Sequence, residues 1–480
     1  MLNRLKTNAC SPGIKNCGIV AVACLGLTYN LDGRTPPEKS RPNIVLINVD
    51  DMGWRDVGFM GSTYYETPNV DKLAKMGMVF TSAYAGAANC APSRACLMTG
   101  NWTPRHGIYT VDNSDRGKSV DRKLIPVRNT TTLTDQISIL PEILHQNGYV
   151  TCLAGKWHLS DDPLKRGFDV NIGGSHAGNP GSYYPPYTNV PSLTAPSPGY
   201  NLTDLITDKT LDFIRSTDNE KPFFLYYAPY AVHTPIQAVK NILNKYTGKP
   251  GWNGQYNPAY ATMIENLDTQ IGRLIDLLEK SGKSENTFIL FTSDNGGVYG
   301  ITSQSPLRAG KGSPYEGGIR EPMIAVWKGK ILPETRNDEP ITQIDFFPTL
   351  LQVAGIEPGE VKEFDGLSIM PLLTGKGKLT ERPLYWHFPV YLEGGNKECQ
   401  DTVFRTRPGS AIRLGDWKLI QYFENNDLEL YDLKYDIGEK NNLSKAFPVK
   451  TKELLGLLER WRKETGAPVP VEQNPEYKGK

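Results

Sequence analysis

The sequence predicts an α/β protein: a large, mainly parallel sheet flanked by helices, followed by a smaller region of short strands and one helix. Three observations predict it. Short apolar runs such as Ile44-Val45-Leu46-Ile47 and Phe223 to Ala228 have the length and composition of strands buried on both faces. A helix from Ala259 to Lys280 separates two such runs, with Met263, Ile264, Leu267, Ile271, Leu274 and Leu278 at helical spacing. Each run also ends in a polar cluster, as expected where a parallel sheet delivers side chains beyond the C-terminal ends of its strands.

Taken in order, the chain of 480 residues opens with Arg4, Lys6 and Lys15 ahead of the apolar run Ile19 to Ala23. That run is too short to span a bilayer and reads as an export signal over residues 1–24. Ala21-Val22-Ala23-Cys24 also resembles a bacterial lipobox, which would place a lipid on Cys24; plain cleavage near Ala23 fits the same residues. Either form implies the periplasm or outer surface of a bacterium. Residues 25–41 form a polar, proline-bearing linker. A larger domain is expected over residues 42–373. After Gly375-Lys376-Gly377-Lys378 a smaller one follows over residues 374–480, with strands at Ala411 to Leu414, Trp417 to Tyr422 and Leu428 to Asp432 and a helix from Val449 to Lys463. Hydrophobic content of 39%, with 46 glycines and 36 prolines, describes a loop-rich globular protein. A net charge of +1 gives no footprint for nucleic acid or a polybasic membrane contact.

Four strand ends carry chemistry. The first ends in Asn48-Val49-Asp50-Asp51, adjacent carboxylates that are costly to bury unless a cation joins them. Tyr149 to Ala154 leads to Gly155-Lys156-Trp157-His158, and Phe223 to Ala228 leads to His233-Thr234-Pro235. Thr287 to Thr292 ends in Ser293-Asp294-Asn295-Gly296-Gly297, residues that also favour a turn. Between the first two strands, Asn89 to Arg105 holds Cys90, Pro92, Ser93 and Arg94, an apolar pair, and then Thr99-Gly100. Pro92 suits a helix start and Gly100 a helix stop, which puts Cys90 where free N–H groups favour an anion. Arg94 adds a fork suited to a tetrahedral oxyanion. The combination is built to attack a phosphate or a sulfate.

Cys90-Ala91-Pro92-Ser93-Arg94, with Leu97-Met98-Thr99-Gly100, resembles the signature of the formylglycine-dependent sulfatases of the alkaline-phosphatase superfamily, bacterial polysaccharide sulfatases among them. Leu307 to Pro322 resembles a second signature of that family. The likeness runs through five motifs in the family's order, from about Pro42 to Leu443. It implies a mixed, mainly parallel sheet and a C-terminal antiparallel sheet with one packed helix. It implies that Cys90 is oxidised to formylglycine by a formylglycine-generating or radical maturase. Asp50, Asp51, Asp294 and Asn295 then match the metal ligands, with an oxygen of the modified Cys90. Such an all-oxygen shell suits Ca²⁺ first and Mg²⁺ second, not zinc. By the same likeness, a hydroxyl of the formylglycine hydrate attacks sulfur while Arg94, Lys156 and Lys311 hold the sulfate oxygens. His233, with Lys311, protonates the leaving alcohol, and His158 takes the proton that lets sulfate depart. Glu316, Arg320 and Glu321 read as a structural charge network.

Of the other histidines, His106 and His145 read as structural, while His176 and His387 are candidates for substrate contact. Tyr183, Tyr184 and Trp252 are candidates for stacking on sugar rings. The substrate expected is a sulfated polysaccharide or its oligosaccharides, galactose-type and like carrageenan, ulvan or glycosaminoglycan. Two other readings fit parts of the sequence. A phosphomonoesterase or phosphonate hydrolase of the same superfamily would share the metal residues, and a glycan-binding lipoprotein without catalysis would keep Cys90 unmodified. With Cys90 converted, Cys96, Cys152 and Cys399 are an odd trio and no disulfide framework.

Overall fold

The computed structural model describes residues 41–480 apart from 219, 358–360, 362 and 480. The expected signal, Cys24 and all but the last residue of the linker lie outside the described residues. The strands are β1 (Asn43–Val49), β2 (Met78–Tyr84), β3 (Val150–Gly155), β4 (Val170–Ile172), β5 (Phe223–Ala228), β6 (Thr287–Ser293), β7 (Arg320–Trp327), β8 (Thr335–Asn337) and β9 (Ile341–Thr342) in the large sheet. They are ordered β4-β3-β5-β1-β6-β7-β2-β8, with β9 beside β2. β4, β3, β5, β1 and β6 run parallel, β7 is antiparallel to both β6 and β2, and β8 and β9 are parallel to β2. The sheet is therefore mixed and mainly parallel, as expected.

The strands are apolar throughout because both faces are covered. Val45 and Ile47 of β1 pack with Leu225, Tyr227, Ile289 and Phe291 under the helices Pro68–Lys75, Leu202–Ser216 and Pro258–Lys280. Ile44 and Leu46 pack the other way, with Phe224, Tyr226, Phe288 and Leu290, against the helices Cys90–Thr99, Leu140–Gln146 and Phe346–Val353. Successive residues of one strand thus feed two cores, the period-2 geometry of a strand. Cys152 lies in the first core, and Cys96 and Cys152 are buried free thiols.

The smaller region carries β10 (Leu384–Phe388), β11 (Leu392–Glu393), β12 (Phe404–Thr406), β13 (Gly409–Leu414), β14 (Trp417–Tyr422) and β15 (Asp427–Asp432). β10-β13-β14-β15 form an antiparallel sheet, and β11 pairs with β12. The helix Pro448–Thr465 lays Leu454, Leu458 and Trp461 on that sheet, with Trp461 stacked on Tyr385 at 4.5 Å. Residues 41–480 cluster as one compact unit.

What positions the site is the strand order. β3, β5, β1 and β6 are neighbours and parallel, so their four C-terminal ends open on one side. Val49 lies opposite Ser293 and Gly155 opposite Ala228, which sets Asp50 beside Asp294 and Lys156 beside the turn into His233.

Candidate active site

Cys90 is the first residue of its helix, after Asn89 in extended conformation, and the helix stops at Gly100 in the left-handed region. Cys90 therefore stands at the helix end where the first-turn N–H groups are free and the dipole is positive. The Lys311 ammonium donates to Cys90 Sγ at 3.1 Å and to Asp51 Oδ2 at 2.8 Å. Lys311 arrives there on a loop drawn against β6. A side chain on Gly296 would sit 1.9 Å from the Gly317 carbonyl oxygen, so only glycine allows that approach.

Below the sulfur lies a set of buried charges. Lys156 Nζ donates to Asp50 Oδ1 and Oδ2 at 2.9 and 2.8 Å. Arg94 Nε donates to Asp294 Oδ2 at 2.9 Å, its Nη2 lies 2.8 Å from the same oxygen, and its Nη1 donates to the Lys156 carbonyl and Tyr226 Oη. Asn295 Nδ2 donates to Asp51 Oδ1 at 2.8 Å, and the Asp51 N–H donates to Asp294 Oδ1 at 3.1 Å. Asp51 and His158 both hold left-handed backbone conformations (φ 61° and 69°).

The electrostatics follow from this pairing. Burial would raise the Cys90 thiol, but Lys156 and Lys311 outweigh it and bring the thiol down to about 6. Burial lifts Asp50 to about 8 despite Lys156. Burial also pushes Asp51 upward, yet Lys311, His233 and Lys156 together hold it well below the ordinary carboxylate range. His158 is driven far down by burial and then by Lys156, so it is neutral. His233 is opposed by burial but raised by Asp51, whose Oδ2 lies 3.6 Å from its Nε2.

The residues suit a cation. Asp50, Asp51, Cys90 and His233 each offer a donor atom, all within 4.8 Å of one another. Asn295 Oδ1 is buried and without a hydrogen-bond partner. A buried amide oxygen left over among carboxylates is what a hard, oxygen-seeking ion satisfies. Above this set opens a cleft of about 440 Å³, lined by Cys90, His158, His233 and Lys311 together with Asp112, Arg116, His176 and Asn179.

The family model for sulfatases matches residues 42–356. This chain belongs to the sulfatase family. The sulfatase is accordingly a sulfuric ester hydrolase. A second family model, described as the C-terminal part of N-sulphoglucosamine sulphohydrolase, matches residues 310–462. N-acetylgalactosamine-6-sulfatase of Canis lupus familiaris is 35% identical over 377 residues, covering 72% of this chain and 68% of its own. A sulfatase of Formosa agariphila is 31% identical over 506 residues, covering 90% of each chain. The crystal structure of Ps i-CgsB, at 30% identity, superposes with a TM-score of 0.72 over 88% of this chain and 92% of its own. A second crystal structure of that protein holds k-i-k-neocarrahexaose.

The structure brings the residues expected for catalysis and metal binding near one another, but not in one layer. Cys90, His158, His233 and Lys311 face the cleft; Arg94 and Lys156 lie beneath, buried at 1% and 0% side-chain exposure against the carboxylates. His176 lines the cleft, whereas His387 does not reach it. The His387 ring is buried in the small sheet between Ser410 Oγ (2.7 Å) and the Pro468 carbonyl (2.9 Å), so its expected contact with substrate is corrected to a structural role. Tyr183 is also corrected. It is buried, and its hydroxyl donates to the Tyr230 and His233 carbonyls at 2.5 and 2.9 Å, bracing the turn that presents His233. Tyr184 is half-buried with its hydroxyl on the Ala238 carbonyl, and Trp252 is half-buried with the Arg55 guanidinium 5.2 Å from its ring. His106, at 3.4 Å from Cys96 Sγ, is structural as expected, and so is Glu316, which meets Arg320 at 3.2 Å. Sequence reasoning missed Tyr226, Asp112, Arg116 and Asn179. Tyr226 reads as one more strand aromatic, and the other three sit in loops without a motif.

Proposed function

We propose that this sulfatase releases sulfate from a sulfated carbohydrate, with position 90 carried as formylglycine and a divalent cation held by Asp50, Asp51, Asp294, Asn295 and an oxygen at position 90. The observation that carries the reading is the setting of Cys90. It stands at a helix N-terminus on the cleft floor, 3.1 Å from the Lys311 ammonium and beside a buried carboxylate set with one orphan amide oxygen. The donor chemistry favours Ca²⁺ over Mg²⁺. A cation there would offset the carboxylate charge and make an oxygen donor beside it easier to deprotonate.

The chain's own residues supply the rest. The first-turn N–H groups and the Lys311 ammonium orient a sulfate group over position 90 and match the charge that develops on its oxygens. Arg94 keeps Asp294 ionised, Lys156 holds the Asp50 carboxyl in place, and both act on the sulfate from below. His233 borders the cleft and is placed to give a proton to the leaving alcohol. His158 is neutral and suited to accept the proton from position 90 that lets sulfate depart.

A carbohydrate fits better than another ester because the relatives that match over most of their length include an N-acetylgalactosamine sulfatase and a protein crystallised with a carrageenan oligosaccharide. The same likeness supports a galactose-type sugar. The basic and then apolar start of the chain supports export, with or without lipid on Cys24; N-terminal sequencing and mass of the secreted protein distinguish the two. Sulfate release from a panel of defined sulfated oligosaccharides, beside aryl phosphates and phosphonates, tests the function. Turnover of at least one sulfated sugar is expected. Turnover confined to steroid or choline sulfates would remove the carbohydrate, and phosphate esters far outrunning sulfate esters would favour a phosphohydrolase.

A further inference from the structure

Arg116 lines the same cleft as Cys90 and Lys311 yet takes no part in the chemistry described above. It comes from the loop after the Thr103–His106 helix and is held from across the cleft rim by Glu393 of β11. Its Nε lies 3.0 Å from both Glu393 oxygens and its Nη2 2.5 Å from Oε1. Among the described residues Nη1 reaches only the Val111 carbonyl, at 3.5 Å. A guanidinium has five N–H donors in a planar fork. Glu393 takes the edge formed by Nε and Nη2. The outer edge, with one N–H on each of Nη1 and Nη2, is the one that binds a carboxylate or sulfate end-on, and among the described residues no acidic group meets it.

The surroundings keep this edge both fixed and positive. A Cβ on Gly117, next to Arg116, would come 2.7 Å from the Phe404 ring, so β12 clamps the loop. The Arg405 side chain packs over Gly394 and beside Gly312, the residue after Lys311, and its Nε donates to the Gly394 carbonyl at 3.3 Å. No carboxylate pairs with Arg405 among the described residues. Glu393 is thus flanked by two guanidinium groups, and the group of three carries a net positive charge. Asp112, exposed on the same wall, could accept from neutral donors such as sugar hydroxyls.

We propose that Arg116, positioned by Glu393, is a specificity-determining residue that binds a second anionic group of the substrate, a sulfate or a carboxylate next to the ester being cleaved. The proposal rests on the carbohydrate reading above. Its substrate class is a sugar with two or more acidic groups, not an isolated monosulfate.

The test compares the matured wild-type enzyme with Arg116→Ala and Arg116→Lys on matched disaccharides, one monosulfated and one with an added sulfate or uronate on the neighbouring ring. The readout is the ratio of kcat/KM between the two substrates. Wild type should prefer the doubly charged sugar. Arg116→Ala should lower that ratio on the order of 10- to 100-fold, through KM, as expected for losing a hydrogen-bonded charge pair. Arg116→Lys keeps the charge opposite Glu393 but loses the fork, and should fall between the two, which covers the case of an alanine variant that does not fold. Equal ratios in wild type and Arg116→Lys, or a wild type that prefers the monosulfated sugar, would overturn the subsite and leave the carbohydrate reading intact. Hydrolysis of aryl sulfates with neither sugar cleaved would end both.

Discussion

Two regions of this molecule bury charged residues of the same kinds and do opposite things with them. At the strand ends, Asp50, Asp51 and Asp294 meet Arg94, Lys156 and Lys311, and the set opens on a cleft with Asn295 Oδ1 and His158 Nδ1 left without partners. Between the large sheet and the small one, Glu316 and Glu439 meet Lys418 at 3.0 and 2.8 Å, while Arg320 and Tyr84 also reach Glu316, and Arg413 donates to Tyr84. That second set is closed on itself by side chains from β2, β7, β13 and β14. The contrast separates a group of ions left open on a cleft from one that the chain encloses. Residue type does not tell them apart; the open face does.

The comparison can be broken from either side. The largest expected effect is at the open site. Cys90→Ala should lower sulfate release by roughly 10⁵–10⁶, as removal of a nucleophile does, with a melting temperature close to wild type. A variant that melts early with activity retained would place Cys90 among the structural residues.

Acid should act away from the open site, on two buried histidines. Burial holds the imidazoles of His106 and His387 down at about 3, against 6.5 for a free histidine. Below pH 6.5 the unfolded chain therefore takes up two protons that the folded chain refuses, so stability falls as pH drops from 6.5 toward 3. Denaturant titrations across that window should show a loss of several kcal/mol, with a shallower slope in His387→Gln. A flat profile would mean that neither ring is confined as described.

Lys418→Met should leave Glu316 and Glu439 short of their shared cation and cost about 3–5 kcal/mol in unfolding free energy. The rate per folded molecule should be nearly unchanged, and a selective loss of rate would tie the closed network to the site. The smallest effect expected is for Gly178→Ala. A Cβ there would come 2.6 Å from the His158 ring, so kcat should drop about tenfold with stability little altered. Unaltered kcat would show that the position of the His158 ring does not matter.

Much of the open site is legible in the sequence because each strand end states its own chemistry locally. β5 and β6 were readable from apolar composition, and Asp50-Asp51, Lys156, His233 and Asp294-Asn295 follow their strands directly. The helix Pro258–Lys280 is equally plain from its spacing. β2 and β7 were not readable. Arg320-Glu321-Pro322 begins β7 with two charges and a proline, and only its place between β6 and β2 makes it a strand, antiparallel to both. Tyr183 and His387 were misjudged for one reason: a loop aromatic or a histidine beside tryptophan looks the same whether it faces solvent or a carbonyl far along the chain. Arg116 was invisible because its partner, Glu393, lies 277 residues away.

The most direct test of the central claim is mass spectrometry of the tryptic peptide from Met76 to Arg94, taken from the enzyme matured in its native host. The account predicts an aldehyde or its hydrate at position 90 and no sulfur there. An intact cysteine at that position in enzyme that releases sulfate at full rate would contradict it.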